Sequence, residues 1–288
     1  MAFIANDKAL IESDRRKYMK QGTRFLKDIA DILKVNLIMT AVDDKFVLFH
    51  PHDDCRTALQ KMGERIDYAP ILEDDQPIGY VKREKLASFP EKLCKDLMDN
   101  LDSGDCVSSD TTIENVLDLL SDKSFLLVTE EKRLLGIITR ADLNKRAVCI
   151  LLYAALCELE SRLVDLVKSN FPKNEYLKGI LSEDRTKEIL YQYWIAKMSN
   201  TEVSIEEHLC MGDVVNIIQK SKNRKILEAL GYQSRRQSEE LSSFVDLRNR
   251  VMHPERTLLR DENPVSNIRQ QYRRILELVE KLENKDVI

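Results

Sequence analysis

Cysteine is scarce and unpaired in this 288-residue sequence. Its six thiols, at 55, 94, 106, 149, 157 and 210, form no Cys-x-x-Cys and no ligand-spaced cluster with histidine. A disulfide framework and a zinc site are therefore not expected, and reduced packing thiols in the cytoplasm are the plain reading. Long apolar runs are missing too. The longest, Ala147 to Cys157, is about half of what a membrane crossing needs, and Glu158 closes it. No basic leader with an apolar segment and cleavage site opens the chain, so secretion is not expected.

What is present fits a soluble globular protein, with 43% hydrophobic and 33% charged residues and length for two ordinary domains. The net charge of -4 is unevenly spread. Residues 1–147 carry 23 basic and 27 acidic side chains, whereas 148–288 carry 22 of each. Within 220–260 ten basic residues face five acidic ones, an excess compatible with a polyanionic partner or with a solvated charged surface.

The chain opens on a charged helical segment, about 6–34, whose apolar positions 25, 26, 29, 32 and 33 form a stripe. From about 45 the texture changes to short apolar runs and short helices, and it repeats. A shift of 57 residues lays Pro70-Ile-Leu-Glu-Asp-Asp-Gln-Pro-Ile-Gly79 onto Leu127-Val-Thr-Glu-Glu-Lys-Arg-Leu-Leu-Gly136. Each copy reads as polar turn, helix, strand, acidic turn, strand and helix. One copy is too small to bury much core, so the two are expected to pack as a pseudo-symmetric pair.

Residues 40–146 resemble a tandem CBS-domain module, with units about 40–88 and 104–146, preceded by a helical lead-in over 1–39. Gly136-Ile-Ile-Thr-Arg-Ala-Asp142 is similar to that family's Gly-x-x-Ser/Thr-x-x-Asp signature. The resemblance implies that Asp142 accepts hydrogen bonds from ribose hydroxyls and that Thr139, beside Arg140, contacts ribose or phosphate. A hydroxyl and a carboxylate at a helix start are a sensible polar clamp for a sugar phosphate. They are equally an ordinary N-cap and first-turn acid. The first copy has Lys82 and Lys85 at the matching positions, which either reach a ligand's phosphates or stay exposed.

From 147 to 288 the pattern is helical, at about 148–169, 184–198, 205–230, 237–253 and 264–284. No Gly/Ser/Pro stretch separates Leu143 from Tyr153, so the first of these helices is expected to follow the second repeat directly. Trp194, with Tyr191 and Tyr193, has helical spacing and is expected in the core. Phe244-Val-Asp-Leu-Arg-Asn-Arg-Val-Met-His-Pro254 is an amphipathic helix with Phe244, Leu247 and Val251 inward. Asn249 and His253 share a face, beside Arg248. Pro254 biases His253 out of helical geometry. An imidazole, a guanidinium and an amide together suit work on a phosphodiester.

This half resembles a HEPN domain, a helical bundle marked by Arg-x(4–6)-His, here Arg248-Asn-Arg-Val-Met-His253. The fold class is then α+β, an N-terminal CBS pair followed by an all-α bundle. The resemblance implies metal-independent RNA cleavage in a homodimer with face-to-face motifs. His253 would serve as acid or base, Arg248 would stabilise phosphoryl charge, and Asn249 would hold the imidazole or a phosphate oxygen. Glu160 or Glu158, in the acidic segment of the first helix, would orient the pair. Alternatively Arg248 only makes an ion pair with one of them. Arg235, Arg236, Arg250 and Arg256 are candidate RNA contacts. No cofactor is required, and AMP, ADP or ATP is the expected regulator. Two readings compete with it: a non-catalytic adaptor whose bundle binds a nucleotide or a partner protein, and an accessory to a nucleotidyltransferase carried on a partner chain.

Overall fold

The computed structural model describes residues 21–43, 46–199, 202–221, 223–253, 257–259 and 264–285. It divides into two compact units. Residues 6–20 of the expected opening helix lie outside the described residues.

The α/β unit comprises Ala30–Val148 and Leu259–Arg269. Its strands are β1 (Thr40–Ala41), β2 (Tyr68–Glu73), β3 (Gln76–Lys82), β4 (Asp99–Asn100), β5 (Cys106–Ser108), β6 (Phe125–Glu130) and β7 (Arg133–Thr139). They form two sheets, β1-β7-β6-β5 and β2-β3-β4. The repeat is carried down to backbone detail. Hairpins β2–β3 and β6–β7 turn through Asp74-Asp75 and Glu131-Lys132, with φ of 50°, 61°, 47° and 72°. Two consecutive left-handed residues give the turn a twist that matches the flanking strands. Each hairpin also breaks register at the same repeat position, after Ile71 and after Val128.

Gly79 and Gly136 recur for a steric reason. A Cβ on Gly136 would lie 2.5 Å from the Thr40 carbonyl oxygen, and one on Gly79 would lie 2.7 Å from that of Asp99. The short strand before each copy crosses the last strand of a hairpin there. β1 pairs with β7, and β4 with β3.

Short helices cover the sheets: the end of α1 (Gln21–Ile32), then α2 (Cys55–Met62), α3 (Arg83–Ser88), α4 (Cys94–Leu97) and α5 (Ile113–Leu119). Asp54 caps α2 by accepting from the Thr57 N–H, and Thr112 caps α5 by accepting from that of Asn115. The first copy buries Phe49, Ile71, Val81 and Leu86 together with Cys55 and Cys94. Burial pushes the Cys94 thiol up to about 12, so it stays protonated at neutral pH.

Residues 30–39 do not belong to a separate lead-in. Val35 N–H donates to the Thr111 carbonyl, Ile113 N–H donates to that of Leu33, and Val35 and Ile38 are fully buried. This segment completes the second copy's core, so the unit starts earlier than the change in sequence texture suggests.

The helical unit comprises Met1–Ile29, Cys149–Leu258 and Gln270–Ile288. Its helices are α6 (Arg146–Asn170), α7 (Glu183–Met198), α8 (Met211–Lys220), α9 (Arg224–Leu230), α10 (Glu240–Met252) and α11 (Val265–Lys285). α6 buries Leu152, Ala155, Leu159 and Leu163 at helical spacing. The expected helix 205–230 is broken into a 3-10 turn (Ile205–His208), α8 and α9. Asn223 causes the second break, because its side chain caps the Lys225 N–H at 3.0 Å. Counting from α6, Arg248 therefore lies on the fifth helix rather than the fourth. Trp194 and Tyr191 are not core residues. They are 57% and 62% exposed, and the only residue α7 fully buries is Ile189.

Candidate functional site

The α/β unit contains a cleft of about 620 Å3 lined by residues of both copies. Thr139, Arg140 and Ala141 line it where β7 passes into the 3-10 turn Arg140–Asn144. Arg65, Asp67, Tyr68 and Ser124 line it too. Asp67 and Ser124 are repeat equivalents, 57 residues apart, so the pseudo-symmetry brings them to one cleft. The 57-residue shift could have found this pair, but neither residue type stood out. Tyr68 sits among aromatic neighbours, with ring centroids 5.1 Å from Phe125 and 6.2 Å from Tyr80. Arg140 is exposed, and among the described residues neither it nor Arg65 makes an ion pair closer than 4.0 Å.

Asp142 is not presented to this cleft as an open acceptor. One carboxylate oxygen accepts from the Thr139 N–H at 2.7 Å and the Thr139 hydroxyl at 3.0 Å. The other accepts from the Thr40 hydroxyl at 3.2 Å and pairs with Lys145 at 2.8 Å. Asp142 is only 6% exposed, and Lys145 also donates to the carbonyls of Ile38 and Met39. The carboxylate thus ties residues 38–40 to the turn after β7. Asp142→Ala should destabilise the fold by about 2 kcal/mol, the loss of a cap and of charge-assisted bonds. Urea unfolding measures this, and an unchanged midpoint would show that the cap contributes nothing.

Lys82 and Lys85 are engaged within the protein. Both pair with Asp99, Lys82 at 3.2 Å. Burial opposes ionisation of Asp99, but Lys85 and Lys82 outweigh it and hold the carboxyl below its usual range. The first copy therefore answers the Thr139–Asp142 cap with a three-member ion cluster supplied partly by β4. Asp99 lies outside the repeated motif, so sequence reasoning missed it.

In the helical unit Arg248 and Glu160 meet, with the guanidinium Nε 3.3 Å from the carboxylate. Their side chains are 31% and 19% exposed. Of the two acids considered, Glu160 is the one that meets Arg248. Glu158 pairs with Arg162, which also holds the buried Glu283 at 2.9 Å, and Glu283 in turn accepts from the amides of Gly22 and Thr23. Asn249 is half-buried on α10. His253 is exposed in extended geometry at the end of α10, φ −109° and ψ 97°, as expected before a proline. Tyr153, missed in the sequence, shares a helix face with Cys157 and Glu160. Its phenol is held above its usual range, first by a hydrogen bond with Cys157, while Arg248 opposes the shift.

The other basic candidates are dispersed. Arg235 and Arg236 are exposed on the 3-10 turn Arg235–Glu239. Arg250 donates to the Leu258 carbonyl at 3.2 Å. Arg256 lies outside the described residues. A groove of about 460 Å3 runs beside Glu160, lined also by Asp165, Glu206, Glu207 and a single cation, Lys168. Among the described residues no group of three or more His, Cys, Asp or Glu side chains is placed to hold a metal ion. Nor is any described helix long and apolar enough to cross a membrane.

Comparison with known families agrees with the α/β geometry. Residues 29–92 and 95–148 each match the CBS domain family model. The α/β unit is a tandem CBS-domain pair. No curated protein matches the chain. Among solved structures, the CBS domains of a transcriptional regulator from Streptococcus pneumoniae are 21% identical, with TM-score 0.36, over 39% of this chain and 98% of that one. The CBSX2 protein in complex with AMP is 23% identical, with TM-score 0.37, over 41% of this chain and 98% of that one.

Proposed function

We propose that the protein is a nucleotide-regulated endoribonuclease, acting as a homodimer, in which the CBS pair binds an adenosine nucleotide and the helical unit cleaves RNA. The observation that carries the reading is the last two turns of α10. They hold a guanidinium oriented by Glu160 and, five residues on, an exposed imidazole. In the reaction His253 takes the proton of a 2′-hydroxyl, whose oxygen attacks the adjacent phosphorus. The bond to the 5′-oxygen breaks, and that oxygen takes a proton from water, the imidazolium later returning its own to solvent. Arg248 stabilises charge on the phosphoryl oxygens. The nucleophile is the substrate's own hydroxyl, so the chemistry needs no metal-bound water. The products are a 2′,3′-cyclic phosphate and a 5′-hydroxyl.

The test is incubation of the purified protein with RNA in EDTA, alone and with AMP, ADP, ATP or an S-adenosyl compound. Cleavage that stops when the 2′-hydroxyl at the cut site is removed supports the mechanism. Intact RNA under every condition rejects it. A second reading, the non-catalytic adaptor, is favoured by the acidic groove beside Glu160, which repels a polyanion.

For the nucleotide we infer one site per chain, with phosphates against Arg65 and Arg140 and ribose hydroxyls against Asp67 and Thr139. The matching positions of the first copy are occupied by the Lys82–Asp99–Lys85 cluster. Calorimetry should give a stoichiometry of one, and Arg140→Ala should weaken binding roughly tenfold or more, the loss of a charge-assisted bond. Two equal sites per chain, or an unaffected R140A, would remove this assignment.

A further inference from the structure

One peptide group in the chain is held from both sides. Leu258 ends one stretch of the helical unit and Leu259 begins one stretch of the α/β unit, so the bond between them carries the chain from one to the other. Inside the α/β unit, the Leu259 N–H donates to the side-chain oxygen of Asn144 at 3.0 Å. The nitrogen of the same Asn144 amide donates to the Ala141 carbonyl at 3.2 Å. Inside the helical unit, Arg250 donates to the Leu258 carbonyl at 3.2 Å. Leu258 itself is buried, which anchors the group. Ala141 lines the cleft, and Asn144 ends the turn that follows Thr139. Arg250 stands on α10, two residues after Arg248 and three before His253.

We propose that the Leu258–Leu259 peptide is the joint through which occupancy of the cleft is felt at α10. This names the regulation of the proposed nuclease and rests on its adenosine nucleotide site, not on the cleavage chemistry. The physical reason is the rigidity of the peptide plane. In a trans peptide the N–H and the C=O point to opposite sides, and the partial double bond stops either from turning without the other. A ligand with phosphates on Arg140 and ribose on Thr139 displaces the turn that ends at Asn144. A shift of Asn144 then tilts the whole plane, and the Leu258 carbonyl moves against the Arg250 guanidinium. Hydrogen bonds in series also polarise one another, so loss of one weakens the next. Arg250 shares its helix with Arg248, and His253 ends that helix, so a change at Arg250 reaches both along a stiff element.

Coupling between two sites is reciprocal, so it can be read without RNA. In calorimetry of the full chain with AMP, ADP and ATP, Arg250→Met should change the nucleotide Kd about threefold or more, although Arg250 does not line the cleft. In an Asn144→Ala background the same change at 250 should leave the Kd where N144A alone puts it. His253 supplies a second readout. The chain has only four histidines, so the His253 ring resonance is identified by its absence in H253A. Nucleotide should move that resonance in wild type and leave it in place in N144A. Asn144 is exposed, so N144A should keep the wild-type circular dichroism. Should Arg250→Met unfold, N144A carries the test alone through the His253 signal.

A Kd unmoved by R250M, or moved equally with and without Asn144, would overturn the joint and leave both sites as proposed. So would a His253 resonance that answers nucleotide equally in wild type and N144A. A chain that binds none of the three nucleotides would overturn the joint together with the nucleotide site. Intact RNA from a chain that shows the coupling would reject the nuclease and leave the joint standing.

Discussion

Arg248→Ala and His253→Ala should each reduce RNA cleavage by about a thousandfold, from loss of a preorganised cation or of an acid–base group. Arg248→Lys should fail nearly as badly, because a point ammonium does not reproduce the planar fork. The pair with Glu160 makes a control necessary. If Arg248 served only to neutralise Glu160, R248A would lower stability and E160Q would relieve it, with no change in cleavage in either. Rates and unfolding midpoints of R248A, E160Q and the double variant separate the roles. Catalysis predicts that R248A stays inactive whatever stands at 160. His253 gives a cleaner test, since it is exposed and its removal strips no partner from the core. Cleavage undiminished in H253A would reject the proposed chemistry outright.

The largest stability effect is expected at Arg185. Its Nε lies 3.1 and 3.0 Å from the two carboxylate oxygens of Asp213, and a second nitrogen lies 2.7 Å from one of them. It also donates to the His208 carbonyl at 3.2 Å. One side chain thus joins the start of α7 to the start of α8. Asp213 is 6% exposed. Burial alone would raise its pKa, but the Arg185 fork and the Cys210 N–H outweigh it and hold the carboxyl below its usual range.

Arg185→Ala would leave that carboxylate buried without its cation, at a cost of about 3 kcal/mol. The melting temperature should fall by roughly 6–12 °C. The pH dependence has a definite sign. A depressed folded pKa contributes stability that is fully present above the ordinary aspartate value near 4 and is lost as pH falls through the folded value. Wild-type stability should therefore decline through the acid range below about pH 4, and the decline should be shallower in R185A. An acid limb of equal slope in both would show that the pair does not couple to folding.

The architecture of the α/β unit was legible because repetition constrains so much at once. The shift of 57 residues marks both hairpins, and Gly79 and Gly136 recur because a neighbouring backbone crosses each. The positions of Arg248 and His253 near a helix end were also readable, since periodicity and Pro254 are local signals. Three features were not local. Asp142 matches a ligand-binding signature, yet its oxygens are occupied by Thr139, Thr40 and Lys145. Lys82 and Lys85 meet Asp99, which comes from outside their own motif. Trp194 has the spacing of a core residue, but spacing cannot say whether a partner helix covers that face.

By itself, then, the sequence determined the two α/β copies, their turns and the helical texture of the second half, because those follow from periodicity, sterics and local capping. Only the tertiary structure decided which charges meet: Glu160 rather than Glu158 with Arg248, and Asp99 with both lysines. The pairs just named join residues 14 to 88 positions apart. Their energy depends on distance and burial, which no local pattern encodes.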